Sequence, residues 1–186
     1  VKAFHANIDP ALCARECAKL VALHHAHIVD SFGIAVDGAK VALLLELADC
    51  SLAKFICDPN VPFAVLMKLM RDVASGLHYL HTHEPAKLLH LDLKPDNVLL
   101  FAVGADGDLS RAIAKLTDFG IAVDTRHTMT QCAGGVGGTA AFMAPEQFSK
   151  KKPVGPKNDI YSFGVMMWLC VTKLQPWDKT TLPQII

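Results

Sequence analysis

Two short apolar segments in the middle of the chain limit its fold more than any other feature. Residues 98–101 and 114–116 have the length and apolar composition of two paired strands. Residues 92–97, four of which are polar, lie directly before the first segment, and Asp118 lies two residues after the second. Because a hairpin brings the start of its first strand beside the end of its second, the sequence predicts one polar cluster at that end.

The residue types in this cluster suit phosphoryl transfer. Asn97 and Asp118 offer oxygen ligands to one Mg²⁺, a hard cation that proteins usually share with phosphates. Asp92 is then left to accept a proton from a hydroxyl group, and Lys94 to neutralise a phosphoryl group. Taken alone, residues 92–97 would more often be a proline-containing turn with solvated side chains. The pairing with Asp118 favours the chemical interpretation.

A helix is predicted near the start of the chain. Asp9 has the character of an N-cap, and Pro10 suits the first helical position. The apolar face that follows also carries Glu16, and its other members are Leu12, Leu20 and Leu23. A carboxylate buried on that face requires a cation or metal beside it. The alternative is a helix rotated so that Glu16 lies at its solvated edge.

The remaining elements follow from periodicity. Residues 28–34 and 41–47 are predicted as strands joined by a turn at Asp37-Gly38, and a short helical turn begins at Ser51. A long helix follows, whose core-facing stripe is Leu66, Leu69, Met70, Val73, Leu77 and Leu80. A third helix, from Asp159 to about Thr172, is apolar on nearly all sides, which predicts a central position.

Composition excludes several classes of protein. Hydrophobic residues form 52% of the 186 positions, so a core can form, and 18 basic residues balance 18 acidic ones. That balance gives no reason to expect a nucleic-acid partner. The apolar runs are shorter than the roughly 20 residues of a membrane span, and from the residues given we expect no signal peptide. Six cysteines without a CxxC pair are typical of reduced thiols, so we expect a cytoplasmic protein.

With these motifs in place, the chain resembles a eukaryotic-type protein kinase domain over nearly its whole length. The loop at 90–97 and the triplet Asp118-Phe119-Gly120 are similar to two motifs of that family. Residues 144–146 and 159–164, Ala-Pro-Glu and Asp-Ile-Tyr-Ser-Phe-Gly, are similar to two more. Each triplet is weak by itself, but they occur in the order that the family requires.

The resemblance implies roles for further residues. Lys2 would hold the α- and β-phosphates of ATP, and Glu16 would be its ion-pair partner, which supplies the cation that a buried Glu16 needs. Residues 45–48 resemble the gatekeeper and hinge, where backbone groups of Glu46 and Ala48 would meet adenine. Asp92 and Lys94 would be the catalytic residues, and Asn97 and Asp118 the ligands of Mg²⁺.

The resemblance also implies the architecture. We expect an α+β, two-lobed protein-kinase-like fold that is incomplete. Residues 1–48 would form a partial N-lobe sheet with its C-helix and hinge, and residues 49–186 a mostly helical C-lobe without its last helices. The glycine-rich loop and those helices would lie beyond the given ends, so we expect a truncated domain with weak or no activity by itself.

The same motifs bear on the substrate. Lys94, together with Gly138-Thr139, resembles serine/threonine kinases, and residues 162–165 resemble the tyrosine-kinase-like group. The expected partners are therefore ATP and a protein with a Ser or Thr acceptor. Leu91 stands where most of the family has Arg, so we expect activity to depend less on phosphorylation of the activation loop than in members that have the Arg. The alternatives are a pseudokinase that acts as a scaffold or allosteric partner, and a small-molecule kinase, against which residues 144–146 argue.

Overall fold

The computed structural model describes residues 2–4, 21–37, 40–84, 87–118, 138–148 and 154–176. Residues 2–4, 40, 41, 138 and 139 are described by their backbone alone. Glu16, with most of the helix predicted around it, lies outside these ranges. So do Phe119, Gly120 and the Gly- and Thr-rich segment that follows them.

The first sheet is antiparallel and contains β1 (Lys2–Phe4), β2 (Ser31–Asp37) and β3 (Lys40–Leu45) in the order β1-β3-β2. Both predicted strands of the 28–47 region exist, but β2 begins three residues later than predicted. The reason is that Ile28 and Val29 pair with Leu116 in another part of the molecule. Between Ser31 and Gly33 the register shifts, and Gly33 has a φ of 152°, which glycine adopts without strain.

The second sheet contains β4 (Cys50–Ser51), β5 (Val98–Phe101) and β6 (Ile113–Leu116), also antiparallel and in that order. The predicted hairpin is therefore present, with Val98 opposite Leu116. Every second side chain of β5 and β6 points into the core and is fully buried, namely Val98, Leu100, Ala114 and Leu116. This alternation fixes the register, so the position of the hairpin's open end is also fixed.

Helix α1 (Phe63–Thr82) is the predicted long helix and begins directly after Pro62. Its whole predicted stripe, from Leu66 to Leu80, is at most 2% exposed. That face packs on β6, so the helix supports the hairpin from below. Burial of six such side chains stabilises the fold by roughly 1.5–3 kcal/mol each, before the entropy of ordering is subtracted.

Helix α2 (Pro156–Thr172) begins three residues before the predicted start, because Gly155 and Pro156 form its N-terminus. The Gly155 amide donates to Asn158 Oδ1 at 2.7 Å. One face, which includes Asp159, Ser162 and Met166, is buried. Another face is partly exposed within the described residues: Ile160 is 56% exposed, Trp168 42% and Val171 65%.

These elements form an α+β fold of two unequal parts. The first sheet is built from residues before 48, and the second sheet and both helices come after it. The hairpin of β5 and β6 contacts both α1 and the first part, since α1 packs on β6 and residues 27–29 bond to Leu116. Among the described residues, no helix is both long and apolar enough to cross a membrane.

Candidate functional site

The predicted polar cluster lies at the open end of the β5–β6 hairpin. Pro95–Asn97 forms a 3-10 turn that leads into β5, and the Thr117 amide donates to the Asn97 carbonyl oxygen at 3.1 Å. This bond adds the pair Asn97 and Thr117 to the hairpin. Asp118 therefore comes directly after the residue that pairs with Asn97. Asp118 has a left-handed backbone with a φ of 63°. A non-glycine residue keeps such a conformation only where its surroundings hold it, and the cost is about 1–3 kcal/mol.

Three side chains of the loop before β5 are linked by short hydrogen bonds. Lys94 Nζ donates to Asp92 Oδ2 at 3.0 Å, and Asn97 Nδ2 donates to the same oxygen at 2.9 Å. Asn97 Nδ2 also donates to the Asp92 carbonyl oxygen at 2.8 Å. Asp92 remains 32% exposed while Asn97 is buried. These hydrogen bonds hold the Asp92 carboxylate in place, and its exposed part remains accessible to a reactant.

The loop that carries Asp92 is anchored by Asp159 at the start of α2. The fully buried Asp159 carboxylate accepts the His90 amide at 2.9 Å and the Leu91 amide at 2.7 Å. In the next peptide unit, Gln147 Nε2 donates to the Leu91 carbonyl oxygen at 3.1 Å. Leu91 has a φ of 61°, so two side chains from distant elements hold it in a conformation that Leu avoids.

Two histidines belong to the same anchor. His81 Nε2 of α1 lies 2.7 Å from Asp159 Oδ2, which ties both helices to the loop. The His90 side chain is 1% exposed. Burial lowers the pKa of His90 below its ordinary 6.5, and the negative charge of Asp159 only partly opposes that effect. His90 is therefore neutral at physiological pH.

The predicted hinge is held by a network of three charged side chains. Glu46 Oε1 accepts Lys115 Nζ at 2.6 Å and the Asp30 amide at 2.8 Å, and Lys115 Nζ lies 3.7 Å from Asp30 Oδ2. The Glu46 amide donates to the Asp30 carbonyl oxygen at 3.0 Å. Within the described residues, the backbone amide and carbonyl of Ala48 have no hydrogen bond. Backbone groups are thus available at Ala48, while the amide of Glu46 is used by the fold.

The last two predicted residues are only partly described. Lys2 lies in β1 with its Cα opposite Leu43, two residues before the end of the strand that leads into the hinge. Its side chain lies outside the description, as does all of Glu16. The proposed ion pair of Lys2 with Glu16 therefore remains a prediction.

Comparison with known sequences agrees with this geometry. The sequence model of the protein kinase domain matches residues 2–185. The chain belongs to the protein kinase family. A kinase domain implies the use of ATP and, as a rule, of Mg²⁺, together with a protein substrate.

The chain is similar to several named kinases. It is 33% identical to mitogen-activated protein kinase kinase kinase 10 of Mus musculus over 176 residues, which are 92% of this chain and 18% of that protein. It is 32% identical to mitogen-activated protein kinase kinase kinase 11 of Homo sapiens over 165 residues, 88% of this chain and 19% of that protein. A probable serine/threonine-protein kinase of Dictyostelium discoideum, pats1, is 33% identical over 86% of this chain and 5% of its own length. The chain thus spans less than a fifth of these relatives.

The donor set of this kinase site fits Mg²⁺. Both hydrogen bonds of the Asn97 side chain use its nitrogen, and the described residues place no donor against its oxygen. Asp92 therefore turns the Asn97 amide so that its oxygen is the atom available to a cation. Asp118 adds a carboxylate from the adjacent strand end. Amide and carboxylate oxygens are what a hard cation requires, and phosphate oxygens complete such a site.

Several residues of this arrangement were missed by sequence reasoning. The motif at 159–164 was identified by resemblance, but the anchoring of His90 and Leu91 by Asp159 was not predicted. The pairing of Lys115 with Glu46 was also missed. A signal existed for Lys115, because it alternates with the inward-facing Ala114 and Leu116 and must therefore face away from the core. Its partner could not be identified without the fold.

Proposed function

We propose that this chain is the catalytic part of a protein serine/threonine kinase that transfers the γ-phosphoryl group of ATP to Ser or Thr hydroxyls. The observation that carries the proposal is the hydrogen-bonded group of Asp92, Lys94 and Asn97 at the hairpin end beside Asp118. The named relatives, which are kinase kinase kinases and a probable serine/threonine kinase, support the choice of acceptor.

The reaction assigns one task to each residue. The acceptor hydroxyl gives its proton to the Asp92 carboxylate as its oxygen bonds to the γ-phosphorus, and the bond from that phosphorus to the oxygen bridging to ADP breaks. Lys94 neutralises charge on the transferring group. Asn97 and Asp118 hold Mg²⁺, which when bound neutralises charge on the phosphates.

The remaining roles complete the ATP site. We propose that Lys2, positioned by Glu16, contacts the α- and β-phosphates, and that backbone groups of Glu46 and Ala48 face adenine. Since its amide is bonded to Asp30, Glu46 can contribute only its carbonyl oxygen. We further propose that residues 1–48 and 49–186 belong to the two lobes, with ATP between them, and that the protein is cytoplasmic, where ATP and reduced thiols coexist.

The test compares two carboxylates of one loop. In the full-length natural protein, Asp92→Asn should lower phosphate transfer from labelled ATP·Mg²⁺ to a Ser/Thr peptide library by roughly 100-fold or more. The matched control is Asp96→Asn, an exposed residue of the same loop, which should change transfer little. The label should appear on Ser and Thr and be absent from Tyr.

Nucleotide binding separates the enzyme from a scaffold. Asp118→Asn should weaken Mg²⁺-dependent ATP binding, whereas Asp92→Asn should bind ATP·Mg²⁺ nearly as the natural protein does. A natural protein that binds ATP·Mg²⁺ but transfers no phosphate would instead support the pseudokinase. Equal activity of the natural protein and Asp92→Asn would refute the assignment of Asp92.

A further inference from the structure

The outer edge of β6 is closed by residues that have no part in the proposed reaction. One edge of β6 pairs with β5, and the other presents the backbone groups of Ala114 and Leu116. The Leu116 amide donates to the His27 carbonyl oxygen at 3.0 Å, and the Val29 amide donates to the Leu116 carbonyl oxygen at 2.9 Å. A four-residue strand that ends beside the site is thus bonded along both edges.

Side chains bond to the backbone of Ala114. Asp72 Oδ2 of α1 accepts the Ala114 amide at 3.3 Å, and His27 Nδ1 lies 3.1 Å from the Ala114 carbonyl oxygen. Because a carbonyl oxygen can only accept, Nδ1 of His27 must carry the hydrogen. Nε2 of the same ring then faces Asp72 Oδ1 at 3.8 Å. Both side chains are largely removed from solvent, at 20% and 6% exposure.

This arrangement bears on Asp118, four residues further along the chain than Ala114. Asp118 has a left-handed backbone, which persists only if its neighbours are held. On its N-terminal side, those neighbours are Thr117, bonded to Asn97, and β6 itself. Without the bonds from the His27 and Asp72 side chains, the described residues would hold the outer edge of β6 only through the backbone of Leu116.

We propose that His27 and Asp72 are positioning residues for Asp118: by fixing the outer edge of β6, they set where the Asp118 carboxylate meets Mg²⁺ and nucleotide. The proposal rests on the proposed function, since it takes Asp118 as a Mg²⁺ ligand. Neither residue touches the reacting atoms. Their effect should therefore appear in the concentration of Mg²⁺ that nucleotide binding requires.

The experiment uses two histidines of one loop in the full-length natural protein. For His27→Ala, the Mg²⁺ concentration at half-saturation of ATP-analogue binding should rise about tenfold, the lower end of the effect of residues that orient a metal ligand, because His27 acts on Asp118 only through β6. Hydrogen exchange of a peptide that spans β6 should accelerate about tenfold, the effect of one lost hydrogen bond. The matched control is His24→Ala, because the His24 side chain is 73% exposed and makes no bond to β6; it should change neither quantity.

Conservative variants protect the test against poor folding. Asp72→Asn keeps an oxygen for the Ala114 amide and should stay within about twofold of the natural protein, while Asp72→Ala should match His27→Ala. His27→Asn can still donate to Ala114 and should recover part of the loss. All Mg²⁺ titrations should be made at a temperature at which every variant is folded.

The outcomes separate this proposal from the one on which it rests. If exchange in β6 accelerates while the Mg²⁺ requirement of His27→Ala and Asp72→Ala is unchanged, the two residues are structural only and the positioning role is wrong. If Asp118→Asn itself leaves Mg²⁺-dependent binding intact, the proposed Mg²⁺ site fails and the positioning role fails with it. A shifted requirement in both variants, with the control unchanged, supports the proposal.

Discussion

Replacing Gly76 by Ala should destabilise this protein although the same change favours an isolated helix. Gly76 lies inside α1 on the side where the loop that carries His27 crosses the helix. A Cβ added there would lie 2.7 Å from the His27 carbonyl oxygen and 2.9 Å from Leu116 Cδ1. The first contact is with backbone, so no side-chain rotation relieves it.

The magnitude follows from three contributions. Alanine gains about 1 kcal/mol over glycine in a helix interior. Overpacking of this kind costs about 1–3 kcal/mol. Moving the His27 carbonyl away also weakens its hydrogen bond with the Leu116 amide, which contributes about 1 kcal/mol. We therefore expect a net loss of about 2 kcal/mol, which corresponds to a fall in Tm of roughly 4–8 °C for a chain of this size.

Gly164 of α2 provides the matched control, since it is also a helical glycine, but among the described residues outside its own helix turn no atom lies within 4 Å of a Cβ added to it. Gly164→Ala should stabilise the protein by about 0.5–1 kcal/mol. Urea unfolding followed by circular dichroism gives the free energy of unfolding of both variants. If Gly76→Ala stabilises the protein as much as Gly164→Ala does, the close approach of loop and helix is wrong.

Three further changes test other parts of the structure. Asp159→Asn should lower the free energy of unfolding by about 2–4 kcal/mol and phosphate transfer by roughly tenfold or more, because its amide nitrogen would face a backbone N–H that a carboxylate oxygen now accepts. An unchanged free energy of unfolding in urea would contradict the anchoring role of Asp159. A double-mutant cycle of Glu46→Gln and Lys115→Met should give a coupling energy of about 1–2 kcal/mol in the same assay, and a value below about 0.3 kcal/mol would show that the pair adds nothing. Because burial holds the pKa of folded His90 below 6.5, the contribution of neutral His90 is complete above pH 6.5 and is lost as the pH falls below it. His90→Phe should thus lose less stability than the natural protein between pH 6.5 and about pH 5, and an equally steep loss would exclude His90 as the cause.

The elements that periodicity governs could be predicted from the sequence. The stripe of α1 and the alternation in β5 and β6 each place apolar side chains on one face, and the packing of α1 on β6 buries both. Asp92, Lys94 and Asn97 are close in sequence, so their cluster needed only a turn. The start of β2 was misplaced because Ile28 and Val29 have strand-like side chains but bond to β6. A local pattern of apolar residues cannot show with which of two apolar strands a segment will pair.

The partners of the polar residues could not be predicted for a different reason. Asp159 bonds to residues 68 and 69 positions away, and Lys115 bonds to a carboxylate 69 positions away. Such pairs depend on how helices and sheets are placed, and the sequence carries no periodic signal for them. Glu16 would need a partner only if it is buried on its apolar stripe, and only the family resemblance suggested Lys2 for that role.

The dependence of Leu91 on residues made much later has a consequence for biosynthesis. A ribosome delivers the loop at 90–97 long before Gln147 and Asp159, which hold Leu91 in its left-handed conformation. Until Asp159 has been made and α2 has docked, the Leu91 and His90 amides lack their acceptor, and the nascent loop should sample extended backbone instead. A nascent chain therefore cannot present Asp92 in its final geometry, and phosphate transfer should begin only when α2 has docked.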